Sequence, residues 1–408
     1  MVATLDGLGS VVRPARDGDA VGGVPARFVA MPASTEQAAA VVRATASAGL
    51  AVVVRGGGTK LDWGVPPRRL DLVVDTRRLT GVVEHAAGDL ITVVRSGTTL
   101  AELRERLAVS GQHLAVDDPL HGATVGGTVA VNASGPRRLL YGTARDLLIG
   151  ITVVRPDGVV AHAGGKVVKN VAGYDLGKLF TGSYGTLGLI TRAAFRLHPV
   201  PAAGTVVTRR APDAAEAGRW VAAVRAAQVV PSAVEVDAPP GGEVQVAVLV
   251  EGTPAGVRAR AETLRRLLSG TVLEGLPAWW GEYPWAATGT GLKLTSALSA
   301  VPRLLAAARD AGERHGVAVA VRGSAGTGVL YAGLPGAADP RAVAHVVADL
   351  RAAARQAEGH AIVLTAPGPV RDRVDMWGPI EALGLMRRVK DRFDPGGRFA
   401  PGRFVGGI

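Results

Sequence analysis

The chain has 408 residues, 48% hydrophobic and 20% charged, enough apolar material for two or three globular domains. It holds no cysteine, which excludes disulfides, thiolate metal ligands, a cysteine nucleophile and an iron–sulfur cluster of its own. The net charge is +11, but the excess is arginine spread over the whole length without a run of five, which argues against nucleic acid as a partner.

Residues 1–24 read as an N-terminal extension with no charged segment followed by an apolar run, so no signal peptide is expected. No apolar stretch approaches the ~18 residues of a membrane span, and a cytoplasmic location is expected. "AAAVVRATASAGL" (38–50) has helical spacing, and "AVVVR" (51–55) is a buried strand that breaks at Gly56. "LDLVVDT" and "LITVVRSG" are further strands. "TTLAELRERLAVSG" (98–111) is an amphipathic helix capped by Thr98 or Thr99. "LLIGITVVRPDGVVAHAGG" is a hairpin turning at "PDG", and "GLITRAAFRLHPVP" is a strand ended by prolines.

After Pro201 the pattern changes. "TVVTRRA", "VEVDAP", "EVQVAVLVEG", "LKLTSAL", "VAVAVRGS" and "GVLYAGL" alternate as half-buried strands, with helical stretches between them. Repeated strand–helix–strand–strand–helix units predict an α+β, ferredoxin-like sheet with helices on one face. A last helix (380–394) leads into "PGGRFAPGRF".

Three glycine-rich segments stand out: "RGGGTK" (55–60), "DPLHGATVGGTVAVNASGPRRLLYG" (118–142) and "GGKVVKNVAGYDLGKLFTGSYGTLG" (164–188). The third holds three of the six lysines, an enrichment that points to an anionic ligand. One glycine loop alone reads as a tight turn. Three, each beside a strand, read as walls whose inward N–H groups hold a phosphate. "GGGTKL" fails the GxGxxG pattern and "GYDLGK" fails GxxxxGK, so neither the Rossmann fingerprint nor the NTPase P-loop is present. A valine at Gly57 is expected to abolish ligand retention, on the expectation of left-handed backbone there. The eight histidines form no HExxH, and no metal is expected.

These three segments, in this order and spacing, resemble the FAD-binding domain shared by vanillyl-alcohol oxidase and p-cresol methylhydroxylase (PCMH-type). Within it they are most similar to the glycolate oxidase E subunits. The resemblance is strong over residues 25–200, moderate over the last 40, and one of pattern and length between. It implies a two-subdomain FAD domain (25–201), an α+β cap domain (202–370) and a C-terminal segment (371–408) returning to the FAD domain. By position, Arg55, Gly56, Gly57, Gly58, Thr59 and Lys60 would meet the pyrophosphate. Pro119, Thr124, Val125, Gly126, Gly127, Asn132 and Ser134 would line a second wall. Gly182, Gly185, Thr186, Gly188 and Ile190 would approach the ring and ribitol.

Three departures matter. Thr59 and Lys60 stand where tethering relatives carry histidine, so noncovalent FAD is expected. Tyr184 replaces a glutamate of "GSEGTLG", and Ala400 replaces the asparagine of "NPGK". Oxidising a 2-hydroxy acid needs a cation for the carboxylate and a base for the hydroxyl proton. Candidate cations are Lys169, Lys293, Arg322 and Arg137, and candidate bases His121 and Tyr174. "AWWGEYPW" (278–285) reads as packing or a subunit contact rather than substrate stacking. The resemblance implies partners, a second flavin subunit and an iron–sulfur subunit, with any membrane association made through them. Three readings stay open: a 2-hydroxy-acid dehydrogenase taking glycolate to glyoxylate within a complex, a flavin-holding or electron-relay subunit, and a self-sufficient oxidoreductase on another alcohol.

Overall fold

The computed structural model describes residues 11–165 and 174–408. The chain divides into two units. One holds the residues up to Ser134, Thr143–Val200 and Pro379–Ile408; the other holds Gly135–Gly142 and Pro201–Gly378.

The first unit is built on two sheets. In the first, Val12–Pro14, Phe28–Ala30, Leu72–Asp75 and Val52–Arg55 lie in that order, the last three parallel to one another. The inner strands are apolar on both faces, as parallel strands buried on both sides are. Val52, Leu72 and Val74 enter one core with Ala38, Val41 and Val42 of the helix Thr35–Ser47. Val53 and Val73 enter another. Phe399 joins the first core and Ala400 the second, so adjacent residues of the C-terminal segment serve both faces. The second sheet is antiparallel: Val82–Ala86, Ile91–Arg95, Leu189–Arg196, Leu148–Val154 and Val160–Gly164. Its last two strands form the expected hairpin, with Gly158 at φ +82° in the turn. The helix Leu100–Ala108 starts at Thr99, which exchanges capping hydrogen bonds with Glu102.

The β-branched run after Gly126–Gly127 is helical. Val125–Val131 begins at Thr124, whose hydroxyl accepts from the Gly127 amide at 3.3 Å, and ends at Asn132 in the left-handed region. The threonine cap outweighs the β preference of "TVAV" here.

The second unit holds one eight-stranded sheet. The strands Ala203–Ala211, Ala233–Ala238, Val244–Gly252 and Thr271–Leu273, with helices Ala214–Ala226 and Pro254–Leu268, make one β-α-β-β-α-β half. Thr290–Thr295, Ala320–Ser324, Val329–Leu334 and Ala361–Thr365, with helices Val301–His315 and Pro340–Gln356, make the other. The halves join where Ala233–Ala238 pairs antiparallel with Ala320–Ser324. Thr271–Leu273 and Ala361–Thr365 were not among the strands expected from alternation; the first is three residues long and largely exposed, too short to show a period. Among the described residues, no helix is long and apolar enough to cross a membrane, and no group of three or more His, Asp and Glu could hold a metal.

Candidate functional site

The first unit contains an open recess. Three glycine-bearing segments wall it. Gly56, Gly57, Gly58, Thr59 and Lys60 follow directly on the strand Val52–Arg55; Thr124, Gly126 and Gly127 open the short helix; Tyr184, Gly185, Gly188 and Ile190 come from the third segment. Close approach explains the first glycines. A Cβ on Gly56 would lie 2.1 Å from Thr124 Oγ1, and one on Gly57 would lie 1.9 Å from the Gly122 carbonyl oxygen. Gly57 is not left-handed, contrary to expectation; the left-handed glycine of this loop is Gly58, at φ +80°. A Cβ on Gly126 would meet Ser96 Cβ at 2.7 Å. These glycines therefore let the segments that wall the recess pack closely against their neighbours, where any side chain would push them apart.

The charges of the first segment are already committed. Arg55 is buried and bonds Asp19 and Asp75, both at 2.9 Å, and is not part of the recess lining. Hydrogen bonds from Arg13, and then the Arg16 amide and Arg55, hold the Asp19 carboxyl well below the usual range. Lys60 lines the recess, but its ammonium is paired with Asp118 at 2.5 Å, and Asp118 also accepts from Thr128 at 2.9 Å.

Sequence reasoning missed Arg403, which lines the recess and is 4% exposed. Its Nη2 donates to the carbonyls of Leu61 at 2.7 Å and Trp63 at 2.9 Å. Burial lowers its pKa to about 10, although Asp62 and Tyr184 pull the other way. "PGRF" gave no sign of this, because an arginine three residues past Ala400 acquires its place only when the C-terminal segment lies along strand Val52–Arg55. Tyr184, at φ +54°, stacks on Phe404 with ring centroids 5.4 Å apart. Ala400 is buried at φ +45°, a conformation that suits asparagine better, and its amide donates to the Val52 carbonyl at 2.7 Å.

The remaining expected cofactor contacts lie off the recess lining. Pro119 is half-buried and Val125 is buried. Asn132 accepts from the Arg145 amide at 3.2 Å, and Ser134 is buried. The Gly182 amide donates to Val129 at 3.0 Å, and the Thr186 hydroxyl to Ser183 at 2.7 Å. His121 is exposed beside Gly122, and Tyr174 is 93% exposed. Lys169 lies outside the described residues.

The other candidate cations belong to the second unit. Strand pairing places Gln245, Asp237, Arg322, Tyr331 and Lys293 opposite one another in a transverse row across five strands. Directly paired residues share a face, and their chain neighbours Val236, Val246, Val321, Leu330 and Leu292 are buried on the other one. The aromatic stretch covers the row. Trp279 Nε1 donates to Gln245 at 2.9 Å, and Tyr283 stacks on Trp285 and meets Tyr331 edge-on at 4.8 Å. Arg322 is paired with Asp237 at 2.7 Å, and Arg137 with Glu251 at 3.0 Å. Arg138 Nη2 donates to the Tyr331 oxygen at 3.1 Å. The Lys293 side chain makes no hydrogen bond or ion pair to a described residue. Desolvation lowers its pKa, against a partial opposing pull from Tyr331.

Residues 26–164 match the model of the FAD binding domain family. A D-lactate dehydrogenase of Archaeoglobus fulgidus is 34% identical over 207 residues, 51% of this chain and 46% of the relative. The glycolate oxidase subunit GlcE of Escherichia coli is 37% identical over 160 residues, 39% of this chain and 45% of the relative. The chain thus spans less than half the length of these curated relatives in the matched part. A crystal structure of p-cresol methylhydroxylase with substrate bound superposes with a TM-score of 0.76 at 16% identity, over 99% of this chain and 92% of that one.

Proposed function

Because residues 26–164 of this chain are an FAD binding domain of the p-cresol methylhydroxylase type, we propose that it is an FAD-dependent oxidoreductase acting on a 2-hydroxy acid such as glycolate, as one subunit of a complex. The observation that carries the reading is the glycine-walled recess, whose segments match the FAD-binding resemblance residue by residue at Gly56–Lys60, Thr124, Gly126–Gly127, Gly185, Gly188 and Ile190. When bound, the flavin accepts the hydride from the substrate carbon. The chain's own part is to hold and orient. Gly56, Gly57 and Gly58 leave space and amides for the pyrophosphate, while Gly126 and Gly127, whose amides already donate to Ser96 and Thr124, leave space only. No histidine stands at Thr59 or Lys60, so the cofactor is held without a covalent bond.

For the substrate, Lys293 is the carboxylate cation, with Tyr331 beside it donating its O–H while its oxygen accepts from Arg138. Arg322, neutralised by Asp237, braces the row and leaves the carboxylate to Lys293. A second flavin subunit and an iron–sulfur subunit complete the electron path, consistent with a chain that has no cysteine and with the subunit naming of its Escherichia coli relative.

The test is anaerobic flavin reduction by a panel of 2-hydroxy acids, with the purified chain alone and with its partner subunits. The protein should be yellow, with about one FAD per chain, all of it released by acid precipitation. Glycolate or D-lactate should bleach the flavin in the complex, and slowly or not at all in the lone chain. A colourless protein that takes up no FAD ends the cofactor reading. Rapid bleaching of the lone chain, with turnover on oxygen or a quinone, replaces the subunit reading with a self-sufficient oxidoreductase.

A further inference from the structure

Among the described residues, two cations line the glycine-walled recess, Lys60 and Arg403. Lys60 is neutralised by Asp118 at 2.5 Å. The third cation of the neighbourhood, Arg55, is spent on Asp19 and Asp75. Arg403 differs from both. It is 4% exposed, its Nη2 bonds only carbonyl oxygens, and its Nη1 is buried with no hydrogen-bond partner among the described residues. A guanidinium stays charged when buried, and an orphaned N–H costs the full desolvation of that group. Leaving this arrangement without a counter-charge is unfavourable, so the geometry calls for an acceptor of negative charge in the recess.

We propose that Arg403 is the charge partner of the FAD pyrophosphate, and that it replaces the two cations of the "RGGGTK" segment in that role. This rests on the FAD reading above. The choice of the phosphates over the flavin ring follows from where Arg403 is anchored. Leu61 and Trp63, whose carbonyls hold its Nη2, continue the loop Gly56–Lys60 that forms the anion-holding wall. That loop has backbone donors to offer and no free side-chain cation, which the guanidinium supplies. Its two carbonyl anchors fix the plane of the fork, leaving Nη1 as the arm for the ligand.

The experiment titrates FAD, ADP and riboflavin into acid-stripped full-length protein, wild type and with Arg403→Met or Arg403→Lys, and records the flavin midpoint potential of each. Arg403→Met should weaken FAD and ADP by a common factor of about 10- to 100-fold. Riboflavin, which has no phosphate, should bind both proteins alike. Arg403→Lys, which keeps the charge, should recover most of the loss. Equal FAD and ADP affinities in wild type and a folded Arg403→Met protein overturn the proposal. So does a variant that keeps its ADP affinity while its flavin potential falls, since that puts the guanidinium against the ring. If Arg403→Met does not fold, wild type and Arg403→Lys decide: ADP must bind more tightly than adenosine, by a margin that shrinks in the lysine variant, and an unchanged or absent margin overturns it. A wild-type protein that binds no FAD is a separate failure, that of the cofactor reading itself.

Discussion

Gly57→Val folds and holds no FAD. The Cβ of any residue at this position would lie 1.9 Å from the carbonyl oxygen of Gly122. The obstructing atom is backbone, so no side chain can swing aside, and the two walls of the recess must part instead. Overpacking of this kind costs about 1–3 kcal/mol where the surroundings yield; here the strain falls on the two segments that shape the anion-holding wall. An affinity loss of at least 100-fold, about 2.7 kcal/mol, is expected for FAD. Gly49→Ala is the control. Gly49 is left-handed, at φ +63°, yet a Cβ there meets nothing within 4 Å and it is not part of the recess. It should lower stability by about 1–2 kcal/mol and leave flavin content intact. Flavin absorbance against circular dichroism reads both, and full occupancy in a folded Gly57→Val protein would show that the loop is merely a turn.

Lys293→Met should keep its FAD and lose its substrate. In the proposed carboxylate site this ammonium faces Tyr331 with no carboxylate of the described chain bonded to it. A hydrogen bond to a charged group contributes about 1.5–3 kcal/mol, so the KM for the 2-hydroxy acid should rise by roughly 10- to 150-fold. The pH dependence supplies a second signature. Desolvation lowers the Lys293 pKa below that of an ordinary lysine. The charged form binds the carboxylate, so affinity is complete below the lowered pKa and falls as pH rises through it, earlier than a surface lysine would allow. The methionine variant should show a flat alkaline limb at its higher KM. An unchanged KM, or an alkaline limb that survives the substitution, would remove Lys293 from the substrate site.

The glycine walls were legible in the sequence because three glycine-rich segments recur, each beside a strand, where one alone reads as a tight turn. The two-half sheet was legible through its alternation, apart from Thr271–Leu273, too short to show a period, and Ala361–Thr365. What the sequence hid was the allocation of charge. "RGGGTK" reads as two cations for a phosphate, but Asp19, Asp75 and Asp118, 20 to 58 positions from their partners, claim both. Arg403 becomes the free one only through carbonyls 340 and 342 positions away. The row from Gln245 to Lys293 is equally non-local, since it exists only in the pairing of five strands. The helix after Thr124 was obscured by a local conflict, in which one capping hydroxyl overrules three β-branched residues, Thr128, Val129 and Val131.

The anchoring of Ala400 on Val52 and of Arg403 on Leu61 and Trp63 also sets a timetable for synthesis. The strand and loop that make the first wall are translated early, then the roughly 180 residues of the second unit pass, which at ribosomal speeds takes about 10–40 s. Until residue 403 has emerged, Val52 lacks a partner on its outer side, and the apolar cores that await Phe399 and Ala400 stand open to water. The nascent chain therefore carries a completed second unit beside an unfinished cofactor domain. That interval is when a chaperone has something to hold, and when scarce FAD would have no finished recess to enter.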